Sequence, residues 1–154
     1  MGAAGGMRQS GASRVFETAS ERETEQVGED LGRTLARGTA LLLYGQLGAG
    51  KTAFIRGLAR GLGADPEEVS SPTFTIVQEY AGSSAALHHI DLYRLEPAEI
   101  EDLGLDDLLD GGSIVAIEWA DRWPGRPRDA IEIRIEAAGD DRRLIHVDGP
   151  ASRS

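Results

Sequence analysis

The sequence predicts an α/β fold: a mixed, mostly parallel sheet with antiparallel hairpin extensions and helices on both faces. Three observations predict it. Ala40–Tyr44 is a short unbroken apolar run, as a strand buried on both sides shows. A glycine-rich loop follows it at once, and then Phe54, Ile55, Leu58, Ala59 and Leu62 at helical spacing. Further on, strand-like segments pair into two candidate hairpins, Thr73–Tyr80 with Ala86–Tyr93 and Ala130–Ile135 with Arg142–Val147.

In chain order, residues 1–13 are rich in Gly, Ala and Ser with almost no apolar bulk, so disorder is expected there, as in the tail 150–154. Residues 14–149 are expected to form one domain, a natural size for a single core. Arg14–Thr18 alternates weakly and is a candidate first strand. Ser20-Glu21-Arg22-Glu23 is a capping box, in which Ser20 and Glu23 satisfy orphan amides at a helix start. Val27, Leu31 and Leu35 continue as one apolar stripe, predicting a helix to about Arg37, stopped by Gly38. Gly28 and Gly32 lie four apart on it, and close packing against the sheet is the expected reason. Gly61 and Gly63 can end the second helix. Ser70-Ser71-Pro72 introduces the first hairpin, and Ala81–Ser84 turns it. From Glu96, Ile100, Leu103, Leu105, Leu108 and Leu109 predict a helix broken at Gly104 and ended by Gly111-Gly112. Ser113–Trp119 is a further buried strand, and Gly139-Asp140-Asp141 turns the last hairpin.

The loop between the first apolar strand and its helix reads Gly45-Gln46-Leu47-Gly48-Ala49-Gly50-Lys51-Thr52, the G-x-x-x-x-G-K-[ST] pattern of a P-loop. Its glycines admit a polyphosphate close to the backbone, where a Cβ would stand in the way. Successive amides then face the phosphate oxygens, and the helix start adds its positive end. Lys51 can reach the β and γ phosphates, and the Thr52 hydroxyl can sit on Mg²⁺. Lys51 is also the only lysine among 16 basic residues. A chain so biased to arginine keeps lysine where a compact, rotatable ammonium suits a crowded phosphate site.

Composition narrows the function classes. The net charge of −10 argues against broad, non-specific nucleic-acid binding, which needs a basic surface, so DNA is not an expected partner. It does not oppose ATP, since the loop makes its own local positive field. With no cysteine there is no disulfide, thiolate metal site or thiol nucleophile. No run reaches membrane-spanning length and no signal segment is visible, so a cytoplasmic protein is expected.

Further carboxylates complete a candidate site. Glu118 ends a strand after four apolar residues, as the second Mg²⁺ ligand of a P-loop ATPase does, although Asp is more usual there; its alternative is a strand-end surface residue. Asp91, in the second strand of the first hairpin, is a candidate for orienting the attacking water or assisting the metal; its alternative is a turn former or a structural partner for Arg94. Ser71-Pro72-Thr73 could sense a γ-phosphate, with Thr73 acting like a switch threonine, or could merely fix the strand entry. His88 and His89 point to opposite faces of one strand, cannot ligate one metal together, and are taken as structural. Trp119 is expected in the core or at an interface edge. Arg142 and Arg143 could each touch nucleotide or simply be solvated on their hairpin.

Taken together, residues 45–52, Ser71-Pro72-Thr73-Phe74-Thr75, Ile90-Asp91-Leu92-Tyr93-Arg94-Leu95 and Ile117-Glu118-Trp119 resemble, in order and spacing, the TsaE (YjeE) family, from about Phe16 to Val147. The resemblance implies a small P-loop ATPase of bacterial tRNA modification. It would work with TsaD and TsaB in forming N6-threonylcarbamoyladenosine at position 37 of tRNAs reading ANN codons, meeting tRNA only through that complex. It implies ATP or ADP in a cradle of Gly45, Leu47, Gly48, Ala49, Gly50, Lys51 and Thr52, with Mg²⁺ on Thr52 and Glu118. It further implies Asp91 in hydrolysis, Ser71–Thr73 as a switch-like segment, an adenine contact somewhere in Thr18–Glu21, and a nucleotide-touching arginine in the last hairpin, for which Arg142 is the first choice. No arginine finger is evident beyond a weak candidate in Arg94, so slow turnover without partners is expected. Two rivals stay open: a small-molecule kinase, which would need an arginine-bearing lid over the phosphates, and a non-catalytic nucleotide-gated adaptor.

Overall fold

In the computed structural model, which describes residues 13–45, 49–69 and 77–149, the apolar runs form one seven-stranded sheet among the described residues. The chain runs β1 (Ser13–Thr18), α1 (Glu21–Thr34), β2 (Ala40–Gly45), α2 (Ala49–Gly61), β3 (Val77–Tyr80), β4 (Leu87–Asp91), α3 (Pro97–Asp102), α4 (Leu105–Asp110), β5 (Ile114–Glu118), β6 (Ile131–Ala137) and β7 (Arg143–Asp148). Short 3-10 turns occupy Pro66–Glu68 and Ala120–Arg122. The strand order is β1-β7-β6-β2-β5-β4-β3. Its centre, β6-β2-β5-β4, is parallel throughout. Antiparallel β3 extends one side, and the β6–β7 hairpin with β1 the other.

Alternation along the strands gives each face its own core. Leu41, Leu43, Leu87, Ile114, Ala116 and Ile133 point to the face covered by α2, and join Phe54, Ile55, Leu58 and Leu62 in one cluster. Ala40, Leu42, Ile90, Val115 and Ile117 point the other way, against Leu95, Ile100, Leu105 and Trp123. Both sides are therefore dry, which is why β2 and β5 read as unbroken apolar runs. Each fully buried Leu or Ile contributes roughly 1.5–3 kcal/mol.

Half of the predicted box on α1 forms: Glu23 N–H donates to Ser20 Oγ at 3.2 Å, but Glu23 Oε1 accepts from Ala19 N–H, one residue before the cap, and not from Ser20 N–H. The helix ends earlier than expected, at Thr34 rather than Arg37. Leu35 turns extended so that its side chain folds back onto the α2-side core, and Gly38, at φ +83°, makes the turn into β2. The reading of Gly28 and Gly32 also needs correction, because they pack on α2 and not on the sheet. A Cβ on Gly28 would lie 2.3 Å from the Phe54 carbonyl oxygen, and one on Gly57 1.9 Å from that of Glu25. The two helices meet backbone to backbone, clamped by Glu25, whose carboxylate accepts from Arg56 at 3.2 Å and Arg60 at 2.8 Å.

The segment from Glu96 breaks at Gly104, at φ +68°, into α3 and α4 as predicted. Ser13, placed in the disordered N-terminal segment by composition, pairs with Asp148 as the first residue of β1. Segments 1–12 and 150–154 lie outside the described residues. Among the described residues no helix is long and apolar enough to cross a membrane.

Candidate functional site

The parallel strands β2, β5 and β4 end side by side, and α2 starts above them. In open α/β sheets this crevice beyond the carboxyl ends is where ligands bind. Gly45 closes β2 at φ +116°, and a Cβ there would lie 2.2 Å from the Ile135 carbonyl oxygen, so only glycine fits. Gln46, Leu47 and Gly48 lie outside the described residues, and the chain re-enters as α2 at Ala49.

Lys51 and Thr52 therefore occupy the first turn of α2, whose orphan amides favour an anion. Lys51 is buried, only 7% exposed. A buried ammonium requires a charged partner, and Glu118 provides it: Nζ lies 3.7 Å from Oε1. Register explains the meeting, since Glu118 ends β5 directly beside Leu43 of β2 and Asp91 of β4. Alternation turns Glu118 and Asp91 alike to the α2 face.

Glu118 has a second partner. Its Oε2 accepts from His89 Nε2 at 2.6 Å. Burial alone would push the Glu118 carboxyl up, but the His89 hydrogen bond and the charges of His89 and Lys51 outweigh it and hold it below the usual carboxylate range. The group is thus an ionised carboxylate between two nitrogen donors. Asp91 keeps one oxygen on the backbone, with Oδ1 accepting from Tyr93 N–H at 2.9 Å.

Among the described residues no group of three or more His, Asp and Glu is arranged to hold a metal ion unaided. Mg²⁺ takes one or two carboxylates and draws its other ligands from water and phosphate oxygens. The ionised Glu118, with the Thr52 hydroxyl on the neighbouring helix turn, has the required donor chemistry.

Arg142 and Arg143 part company at the hairpin. Arg142 is exposed and 3.8 Å from Glu17 of the edge strand. Arg143 lies over the start of α2, where a Cβ on Gly50 would come within 3.3 Å of its Nε. Trp119, expected in the core or at an interface edge, is 37% exposed, adopts φ +59° and packs on exposed Tyr93 with ring centroids 4.7 Å apart. Thr18 is buried and its hydroxyl is engaged by Thr24 at 2.8 Å. It lines a cleft of about 550 Å³ between β1 and α1, whose lining includes none of Lys51, Asp91 and Glu118. Ser71, Pro72 and Thr73 lie outside the described residues.

The sequence marks His89 only as a structural residue, and its contact with Glu118 was not foreseen. Its spacing held the signal, since a residue two before Asp91 must share the face of Asp91.

The family profile described as "Threonylcarbamoyl adenosine biosynthesis protein TsaE" matches residues 18–145. The chain belongs to the TsaE family. Among TsaE relatives, proteins named "tRNA threonylcarbamoyladenosine biosynthesis protein TsaE" include one from Nostoc sp. (strain PCC 7120), 41% identical over 139 residues, covering 88% of this chain and 85% of the relative. The one from Bacillus subtilis (strain 168) is 41% identical over 131 residues, covering 84% and 82%. The crystal structure of YdiB from Bacillus subtilis superposes with a TM-score of 0.71 at 30% identity, covering 93% of this chain and 89% of that one. Among the described residues, the TsaE match spans every strand from β2 to β6 and helices α1 to α4.

Proposed function

We propose that this chain acts in threonylcarbamoyladenosine biosynthesis as a Mg²⁺-dependent ATPase. It would bind and hydrolyse ATP to support TsaD and TsaB in forming N6-threonylcarbamoyladenosine at position 37 of tRNAs reading ANN codons. The observation that carries this reading is the buried Lys51 ammonium at the start of α2, 3.7 Å from a strand-end carboxylate, in a TsaE-family chain.

Each residue has a role in it. Gly45, Leu47, Gly48, Ala49 and Gly50 present backbone amides to the phosphates. The Lys51 ammonium exchanges Glu118 for phosphate oxygens, so one buried cation is always neutralised by one anion or another. Thr52 and Glu118 would hold Mg²⁺, which when bound neutralises charge on the phosphates during transfer. Asp91 orients the attacking water. Water forms the new bond to the γ-phosphorus as the bond to the β–γ bridging oxygen breaks, giving ADP and phosphate. Thr73 would report the γ-phosphate. In the last hairpin Arg143 is better placed than the expected Arg142 to meet a phosphate, because it overlies Gly50.

The test is phosphate release from ATP, measured with and without TsaB, TsaD and tRNA. The reading expects slow release alone and faster release with partners. Background release in every combination would favour the nucleotide-gated adaptor, and a phosphorylated small-molecule product without free phosphate would favour a kinase.

A further inference from the structure

We propose that His89 is a positioning residue for the metal-binding carboxylate: it holds one oxygen of Glu118 so that the other faces the cation. This rests on the reading of Glu118 as a Mg²⁺ ligand. The two can fail separately.

The placement follows from the sheet. β4 and β5 run parallel, with His89 beside Ala116 and Asp91 beside Glu118. All four residues face α2. Ala116 has only a methyl group, so the imidazole can lean along the strand towards Glu118 over a neighbour that leaves it room. Both side chains are largely enclosed, His89 at 17% and Glu118 at 12% exposure. The hydrogen bond from Nε2 to Oε2 spans 2.6 Å, at the short end for a nitrogen donor on a carboxylate.

The contact has a chemical consequence. The last torsion of a glutamate is broad, so an untethered carboxylate can present either oxygen over a wide arc. Tying Oε2 to His89 fixes the carboxylate plane and leaves Oε1 pointing at the start of α2, where Lys51 lies 3.7 Å away. Nε2 is committed to Glu118, so that nitrogen orients a ligand and does not itself ligate. Losing a hydrogen bond that orients a metal ligand typically costs about 10- to 100-fold in metal affinity.

The experiment measures Mn²⁺ binding by electron paramagnetic resonance in the presence of a non-hydrolysable ATP analogue, alongside binding of the same analogue without metal. Mn²⁺ shares the oxygen-ligand preference of Mg²⁺. His89→Ala is expected to weaken Mn²⁺ binding about 10- to 100-fold, with the loss confined to the metal-dependent part of nucleotide binding. His89→Phe keeps a ring in the enclosed space without a donor, and should lose as much. His89→Gln offers an amide N–H to the same oxygen and should recover most of the affinity. Thermal melts of each variant establish that it is folded.

Unchanged Mn²⁺ affinity in both His89→Ala and His89→Phe, with affinity lost in Glu118→Ala, overturns the role of His89 alone. Equal loss in His89→Gln and His89→Ala, or a parallel fall in metal-free binding, reduces His89 to packing and also overturns it. If Glu118→Ala itself binds Mn²⁺ normally, the metal reading fails and the inference falls with it.

Discussion

Adding one methyl group at Gly57 should loosen the site from a distance. A Cβ built there stands 1.9 Å from the Glu25 carbonyl oxygen and 2.7 Å from its carbon, both backbone atoms that no rotamer change can move. An ordinary carbon–oxygen contact begins near 3.3 Å, so α1 must retreat by about 1.4 Å. That retreat opens gaps at Gly28, Gly32 and Gly61, where the helices now touch, and a gap of this size forfeits much of the dispersion energy. Alanine returns about 1 kcal/mol of helix propensity. Overpacking typically costs about 1–3 kcal/mol and sometimes more, and a backbone clash belongs at the upper end. A net loss of about 2 kcal/mol follows, or roughly 4–8 °C in melting temperature for a domain of this size. Because α2 carries Lys51 at its start, nucleotide affinity should fall as well. Circular dichroism melts and nucleotide titration of Gly57→Ala measure both. Gly111→Ala is the control, since its Cβ would meet nothing closer than 3.4 Å and its φ of −78° suits any residue. A Gly57→Ala protein as stable as the control would refute the backbone-to-backbone packing of α1 on α2.

Three further outcomes are expected. Asp91→Ala should keep the fold, losing about 1 kcal/mol with the hydrogen bond to Tyr93 N–H, and should bind nucleotide while phosphate release disappears; loss of binding would make Asp91 structural. Lys51→Ala should abolish nucleotide binding measured by titration calorimetry, and retained binding would remove the lysine from the phosphate site. The Glu118 carboxyl is held below its ordinary value of 4.5, so its contribution to stability is fully present above that pH and is lost as pH falls through the lower folded value. Denaturant midpoints from pH 7 to pH 3 should therefore fall more steeply for the wild type than for Glu118→Gln, and identical pH profiles would contradict the paired carboxylate.

Much of this fold is legible in the sequence because its signals are local. The unbroken apolar runs of β2 and β5, the Ser20 cap and the break at Gly104 each depend on a few neighbouring residues. The candidate site was legible to the extent that its spacing is. Lys51 and Thr52 follow from the loop pattern, and Glu118 from its place after Ile114–Ile117. What was hidden depends on pairing across the sheet or between helices. That Gly28 faces Phe54 of α2, that His89 reaches Glu118 past Ala116, and that Arg143 overlies Gly50 are consequences of register and topology. Trp119 was obscured for a different reason: its left-handed backbone leaves the strand just after Glu118, which alternation cannot foresee.

The proposed function depends on the buried Lys51 ammonium taking hold of a triphosphate. Because Lys51 is the sole lysine, an ATP probe carrying a lysine-reactive acyl phosphate can mark it unambiguously, read by peptide mapping. Modification of residue 51 that disappears with excess unlabelled ATP is the predicted result. A residue 51 left unmodified, or modified equally with and without competing ATP, would contradict the account.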